Sequence, residues 1–256
     1  MFKNLVLISI ISLPLASENL LDIYNEALDN DPQYKSSEYS LLAGKEFVVQ
    51  GRAGLLPNVT LSGSTNWNEY YQFDELQSAY NNSSVTARLT QPLFRLDSWF
   101  NFKRSKKLTD ASEADFAYAQ QNLIIRTVEK YFGVLRAIDN LNAAVSEEKA
   151  IKKQLDQIQQ RFEVGLSAIT EVQEAQLAYD LSVAAKIRSE GALFNAREEL
   201  NSLIGREIFS IDSLKADIVP ENPNPTTKQE WVDIALKNNY RLQASVLRRD
   251  ASQDSA

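Results

Sequence analysis

Hydrophobic and polar positions follow different periods in successive stretches of the chain. From Leu20, the residues Leu20, Ile23, Tyr24, Ala27 and Leu28 recur every three to four positions, which lines one face of a helix. Asp31-Pro32 breaks the stripe, because proline disfavours helix in the residue before it and fits best in a first turn. A second helical piece is expected from Gln33 until Gly51-Arg52-Ala53-Gly54 ends it. That glycine pair is not a phosphate loop, since no Gly-Lys-Ser/Thr follows.

At Pro57 the period changes to two. Val59, Leu61, Gly63, Thr65 and Trp67 alternate with Asn58, Thr60, Ser62, Ser64 and Asn66, and Tyr70-Tyr71 closes the run. This is a strand with unlike faces. A polar linker is expected through Asp74-Glu75 and Asn81-Asn82-Ser83-Ser84. Alternation then resumes with Val85, Ala87 and Leu89 against Thr86, Arg88 and Thr90, ending at Gln91-Pro92-Leu93-Phe94. Each strand runs about 10 residues, the length of a tilted strand across a bilayer. Period alone fits a half-buried hairpin on a soluble domain equally well. The aromatics Trp67, Tyr70, Tyr71, Phe94 and Trp99 near the strand ends favour a membrane interface, as does the weak apolarity of the outward face.

Between Pro92 and Pro220 there is no proline, and the only glycines are Gly133, Gly165, Gly191 and Gly205. A helical pattern longer than about 25 residues indicates a coiled coil, a membrane span or a helical repeat. Ile124, Val128, Tyr131, Leu135 and Ile138 have heptad spacing, as do Ile151, Leu155, Ile158 and Phe162, and later Leu193, Ala196, Leu200 and Leu203. Such spacing sets a seam against a neighbouring helix. Much of the seam is alanine (Ala111, Ala114, Ala117, Ala143, Ala144, Ala175, Ala178, Ala184, Ala185), which lets helices approach closely. Gly165 is expected as the reversal of a long helical hairpin and Gly205 as the C-terminal cap of its return arm. The outgoing arm, Trp99 to Phe162, would measure ~95 Å and the return arm, Thr170 to Ile204, only ~50 Å. The helical region before Pro57 is then expected to flank the remaining half, which gives a rod. After Gly205 an irregular stretch reaches Pro220-Glu221-Asn222-Pro223-Asn224-Pro225, a linker by composition. Ala235-Leu236-Lys237-Asn238-Asn239-Tyr240 then echoes Ala27-Leu28-Asp29-Asn30-Asp31-Pro32, and Asp233-Ile234 echoes Asp22-Ile23 after a small gap, as if a second copy began there.

Composition narrows the function classes. The 256 residues contain no cysteine and no histidine, which excludes disulfides, thiol nucleophiles and thiolate metal sites. The commonest general base and zinc ligand is also missing. No pair of carboxylates stands apart, so no enzyme, cofactor or metal is expected. The net charge of -7 disfavours nucleic acid as a partner. Lys103-Arg104-Ser105-Lys106-Lys107 is a local exception, read either as a solvated helix start or as a contact with anionic lipid head groups. Met1 to Ser17 reads as a secretory signal: Lys3 gives the positive start, Leu5 to Leu13 the apolar stretch, and Leu15-Ala16-Ser17 the cleavage site before Glu18, with Leu15 a poor fit. Its other reading is a first helix or anchor. The apolar run is shorter than the ~20 residues of a spanning helix, and no later stretch is long and apolar enough, so membrane residence would need strands.

At this point the chain resembles the TolC family of outer-membrane efflux and secretion channels, from Glu18 to Ala256. The likeness rests on Glu18-Asn19-Leu20, Leu55-Leu56-Pro57, Leu89-Thr90-Gln91-Pro92-Leu93-Phe94, Tyr131-Phe132-Gly133-Val134-Leu135, Gln154-Leu155-Asp156, Arg161-Phe162-Glu163-Val164-Gly165-Leu166 and Thr170-Glu171-Val172-Gln173-Glu174-Ala175, taken in order. It implies a homotrimer sharing one β-barrel in the outer membrane of a Gram-negative bacterium, among its lipids, continued by an α-helical tunnel in the periplasm. It also implies a periplasmic adaptor and an inner-membrane pump or ABC exporter as partners. By the same resemblance Val164, Gly165, Leu166 and Thr170 would form the adaptor-docking tip, and Glu171 the periplasmic gate, where the family commonly has Asp. A ring of carboxylates at a constriction favours cations; the other reading of Glu171 is a first-turn residue meeting the helix dipole.

The expected fold class is mainly α with a small β part: a long antiparallel coiled-coil-like helical hairpin, the stave of an α-barrel, plus a two-stranded transmembrane β-barrel segment. The expected segments are a signal peptide (1–17), periplasmic helices (18–56), a strand pair with an extracellular loop (57–94), the long hairpin (95–205), an equatorial linker (206–230) and the start of a second repeat (231–256). Family members carry two copies of this unit, so the 256-residue form is expected to be a fragment that does not form a channel alone, because two strands leave open edges in a bilayer. The competing readings are a periplasmic coiled-coil adaptor and a structural stalk.

Overall fold

Asn19 caps the first helix among the described residues. Its side-chain oxygen accepts from the N–H groups of Leu21 and Asp22 at 2.8 and 3.0 Å, and the Asp22 carboxylate accepts from the Asn19 N–H at 3.4 Å. This reciprocal capping box satisfies donors that a helix N-terminus otherwise leaves unmade. The chain, seen in a computed structural model, is described over residues 17–73, 75–214 and 222–254. The expected signal segment lies outside these residues except for Ser17, as do Asp74 and residues 215–221 of the expected linker.

Helix α1 is Leu20–Asn30 and α2 is Pro32–Ala53. The single residue between them, Asp31, is extended, and its carboxylate accepts from the Tyr34 N–H at 2.8 Å, so it ends one helix and caps the next. Strands β1 (Asn58–Gln72) and β2 (Glu75–Thr90) follow. Then come α3 (Leu96–Glu163), α4 (Ile169–Ile204), α5 (Lys228–Asn238) and α6 (Tyr240–Gln253). At the helical rise, the 68 residues of α3 extend ~100 Å and the 36 of α4 ~55 Å. No helix of the described residues is long and apolar enough to cross a membrane. The fold is mainly helical with one small sheet.

The chain divides into two units, Met1–Ser36 with Ala119–Thr226, and Ser37–Tyr118 with Thr227–Ala256. In the first, Ile23 and Ala27 of α1, Leu123, Tyr131 and Val134 of α3, Leu200, Leu203 and Ile204 of α4, and Ile208 form one buried cluster. Each fully buried Leu or Ile contributes about 1.5–3 kcal/mol relative to exposure. The buried stripe on α3 is Leu123, Thr127, Tyr131 and Val134, whereas Ile124 is 48% exposed. The start of the seam therefore runs one position away from the expected Ile124 and Val128, whereas Tyr131 lies in the cluster and Leu135 and Ile138 pack against it as expected. Thr127 fits in the core because its hydroxyl donates to the Leu123 carbonyl at 2.8 Å. Around this cluster, Arg126 donates to both oxygens of the buried Asp31 at 3.2 and 2.5 Å. Arg206 pairs with Glu18 at 2.8 Å and Glu26 at 2.5 Å, and these carboxylates hold its guanidinium above its ordinary value. Glu18 forms an isolated parallel bridge to Ile211, and the Tyr131 hydroxyl donates to the Asp212 carbonyl at 2.7 Å. The stretch after Gly205 is thus tied down over Ile208–Asp212.

In the second unit α2 and the first part of α3 touch through small residues. A Cβ on Gly44 would lie 2.4 Å from the Ser112 Cβ, and one on Gly51 would lie 2.7 Å from the Ser105 Cβ. Both pairs are seven residues apart on their helices, so the contact is an antiparallel heptad seam of Gly on Ser. The Thr109 hydroxyl reaches across it to the Gly44 carbonyl at 2.9 Å. Of the seam alanines expected from sequence, Ala111 and Ala114 are buried here and Ala144 and Ala175 in the first unit, while Ala143, Ala178 and Ala184 are exposed.

Helices α5 and α6 repeat the local geometry of α1 and α2 at a constant offset of 208 residues (Asn239 against Asp31). Both α1 and α5 have 11 residues, and Thr227 caps α5 where Asn19 caps α1. Asn239 is extended like Asp31, and its side chain accepts from the Leu242 N–H at 3.1 Å as Asp31 does from Tyr34. At that offset Asp22 matches Glu230, so the small gap read from the sequence is unnecessary.

Candidate functional site

Two features stand out as candidate sites, one in each unit. The first is the turn between α3 and α4. Gly165 takes a left-handed conformation (φ 75), its N–H bonds the Phe162 carbonyl at 2.9 Å, and the Leu166 N–H bonds the Arg161 carbonyl at 2.8 Å. That pair of bonds is a Schellman cap, which satisfies the last carbonyls of α3 and requires a residue tolerant of positive φ. The chain reverses and α4 starts at Ile169, with Ala168 as a cap that contributes no side-chain bond.

The turn brings Val164, Gly165, Leu166, Thr170 and Glu171 together within eight residues. All are exposed, with Val164 at 70% and Leu166 at 69%. Phe162, expected in the α3 seam with the buried Leu155, is instead exposed and with the exposed Ile169 extends this apolar knob. Glu171 lies in the first turn of α4, and the Ser167 hydroxyl donates to its carboxylate. Ser167 was not foreseen as its partner. Below the turn, α3 and α4 are held by Lys186 on Glu148 at 3.1 Å, and by the Lys152 ammonium 5.0 Å from the Tyr179 ring centroid. The bond from Glu148 holds the Lys186 ammonium above its ordinary range.

The second feature is the β1–β2 hairpin. Its register pairs Val59 with Leu89, Leu61 with Ala87, Gly63 with Val85, Thr65 with Ser83 and Trp67 with Asn81. Directly paired residues share a face, so the apolar positions of both strands fall on the same side. They are not covered: Val59, Leu61, Val85 and Leu89 are 69–80% exposed. The polar run expected as a linker instead continues β2, which stays paired with β1 as far as Gln72 and Glu75. The reason is a polar cross-strand ladder: Ser64 bonds Ser84 at 2.9 Å, and the Thr65 hydroxyl bonds Ser83 at 3.1 Å and Asn81 at 2.8 Å. The strands have 15 and 16 residues, more than the 9–11 that cross a bilayer.

Aromatic side chains bracket this face. Trp67, Tyr70, Tyr71 and Tyr80 are exposed toward the hairpin turn, and Phe94 and Trp99 just after β2. The Trp67 indole N–H and the Tyr71 hydroxyl donate to the two oxygens of Glu69 at 3.0 and 2.7 Å. Neither feature gathers acid–base or metal-binding groups: among the described residues no cluster of three acidic, His or Cys side chains could hold a metal.

Comparison with known proteins points to one family. The family model described as "Outer membrane efflux protein" matches residues 23–206. The chain is 33% identical over 239 residues to the outer membrane protein TolC of Vibrio cholerae, covering 93% of this chain and 54% of that protein. It is 29% identical over 233 residues to the alkaline protease secretion protein AprF of Pseudomonas aeruginosa, covering 87% of this chain and 48% of the relative. Among solved structures, the CmeC outer membrane channel of Campylobacter jejuni superposes with a TM-score of 0.75 at 19% identity, over 94% of this chain and 52% of that one; this likeness concerns the fold. The chain thus spans about half the length of the curated relatives it matches.

Proposed function

Because this chain belongs to the outer membrane efflux protein family, we propose that it is a subunit of a passive exit duct across the outer membrane. The strand pair within 57–94 enters a β-barrel shared by three copies, and the hairpin within 95–205 is a stave of a periplasmic helical tunnel. Residues 206–226 then serve as an equatorial linker, and a second repeat opens at Thr227, the cap of α5, rather than at 231. The observation that carries this reading is the β1–β2 register. It stacks Val59, Leu61, Val85, Ala87 and Leu89 on one uncovered face, which suits hydrocarbon, and puts Thr60, Ser62, Ser64, Thr86 and Arg88 on the other, which suits a wet lumen.

In this reading Trp67, Tyr70, Tyr71, Phe94 and Trp99 sit at the two membrane interfaces. Val164, Gly165, Leu166 and Thr170 dock a periplasmic adaptor that links the duct to an inner-membrane pump or exporter. Glu171 from each copy rings the tunnel end, where it favours cations. The chain works by position and catalyses nothing. The complete gene product is expected in the outer-membrane fraction as a heat-modifiable trimer, with a cation-preferring conductance in planar bilayers that Glu171→Gln reduces. A periplasmic monomer without conductance would refute the reading.

A further inference from the structure

We propose that the start of α3 carries a binding site for the phosphate of an anionic membrane lipid, formed by the ammonium groups of Lys103 and Lys106 over the rings of Trp99, Phe100 and Phe102. The Lys103 Nζ lies 5.9 Å from the Trp99 centroid and 5.6 Å from that of Phe100, and the Lys106 Nζ lies 5.8 Å from that of Phe102. These are cation–π distances. The rings belong to residues three and four positions earlier, so both lysines fold back toward the end of α3 that follows β2.

The direction of that fold-back identifies the ligand. Lys103 is seven residues into α3, about 10 Å along its axis, and the rings its ammonium covers belong to residues only about 5–6 Å along, so the side chain is drawn back toward that end. The polar zone on each side of a bilayer is about 5–7 Å thick, taken from the difference between total and hydrocarbon thickness. With Leu93 and Phe94, 94% and 86% exposed, at the hydrocarbon edge, Lys103 is drawn toward phosphate depth and Lys106 stands about one helical turn beyond it, both with their stems on aromatic surface, as snorkelling side chains do. Of the neighbouring cations, Arg104 is also exposed, whereas Lys107 and Arg95 are already engaged. Lys107 pairs with Asp254 at 2.8 Å and donates to the Asp250 carbonyl, and Arg95 pairs with Asp97 at 2.6 Å. Lys103 and Lys106 are exposed and have no ion pair among the described residues. Ser98 and Ser105 face α2 across its glycines, and Lys103, two residues from Ser105, stands about 200° round the helix. The site is therefore open.

This inference rests on the membrane reading of the strand pair, so the test reports on both. The complete gene product is reconstituted in phosphatidylcholine vesicles with and without phosphatidylglycerol, and retained lipids are counted by native mass spectrometry. Lys103→Gln with Lys106→Gln is expected to lower the preference for phosphatidylglycerol about 30-fold, about 2 kcal/mol at 1.4 kcal/mol per tenfold, whereas Lys103→Arg with Lys106→Arg retains it. Equal preference in the wild type and the glutamine variant would overturn the lipid site. So would glycerol phosphate in solution competing as well as the lipid, which would make the ligand a free phosphate. Thiol labelling of single-cysteine variants along β1 separates the two failures. An alternating pattern with no change in lipid preference overturns the lipid site alone, and loss of that pattern overturns the membrane reading and this site together.

Discussion

Adding one methyl group at Gly44 tests the Gly-on-Ser seam between α2 and α3. An alanine Cβ there would stand 2.4 Å from the Ser112 Cβ, against 3.4–4 Å for ordinary contact, so the helices must separate by at least 1.0 Å (3.4 less 2.4). The obstacle cannot rotate away, because a Cβ is fixed to its backbone. Overpacking of this kind costs about 1–3 kcal/mol. Separation also stretches the 2.9 Å bond from the Thr109 hydroxyl to the Gly44 carbonyl, worth about 0.5–1.5 kcal/mol. Against this, Gly→Ala in a helix interior gains about 0.8–1 kcal/mol. Gly44→Ala should therefore destabilise by about 1–3 kcal/mol. Gly191→Ala, whose Cβ meets nothing within 4 Å, should instead stabilise by about 0.8–1 kcal/mol. Ser112→Gly removes the obstructing atoms, so the double variant Gly44→Ala, Ser112→Gly should recover most of the loss, giving a coupling energy above about 1 kcal/mol. Denaturant unfolding followed by circular dichroism reads the four variants against the parent. Equal effects at Gly44 and Gly191, or purely additive behaviour with Ser112→Gly, would refute the close approach.

Asp31→Ala should cost about 3 kcal/mol in the same assay, the low end for one partner of a buried pair because Arg126 keeps some contact with water. Asp31→Asn should recover about 1 kcal/mol of that by keeping the cap on Tyr34; equal losses would mean that the cap contributes nothing. Gly165→Ala should destabilise by about 1–2 kcal/mol from its positive φ alone, since no atom lies near its Cβ, and an unchanged midpoint would exclude the left-handed turn. Burial, and then the charge of Asp212, push the Tyr131 phenol above its ordinary value. The folded state thus prefers the neutral phenol. This stability is fully present below about pH 10 and is lost as pH rises through the folded value. Tyr131→Phe should flatten the alkaline decline in unfolding free energy, and an unchanged slope would assign it to another group.

The hairpin reversal was legible because one glycine between two helical runs leaves few alternatives, and the structure gives Gly165 the Schellman geometry such a position demands. The Asp31-Pro32 joint was legible for the same local reason. The long register of β2 was not. Asn81, Asn82, Ser83 and Ser84 have the composition of a linker, and only pairing with Ser64 and Thr65 on the other strand makes them a ladder. Only the start of the α3 seam was misplaced, Leu123 and Thr127 standing where Ile124 and Val128 were expected, because apolar residues surround much of the helix there and Thr127 enters the core through its bond to the Leu123 carbonyl. Asp31–Arg126 spans 95 residues, and no periodicity carries such a pairing. At the tip, all five candidate residues lie together on the surface, although Ser167 as the partner of Glu171 depends on turn geometry rather than on any motif.

The central claim is that β1 and β2 cross the membrane with one face in lipid. The chain has no cysteine, so single cysteines placed in turn from Val59 to Asn66 and from Ser84 to Leu89 report each position without background. Spin labels on the complete gene product in its bilayer should alternate. Positions 59, 61, 63, 65, 85, 87 and 89 should be accessible to oxygen, and positions 60, 62, 64, 66, 84, 86 and 88 to a water-soluble relaxer. Uniform access to the water-soluble agent along both strands would contradict the account.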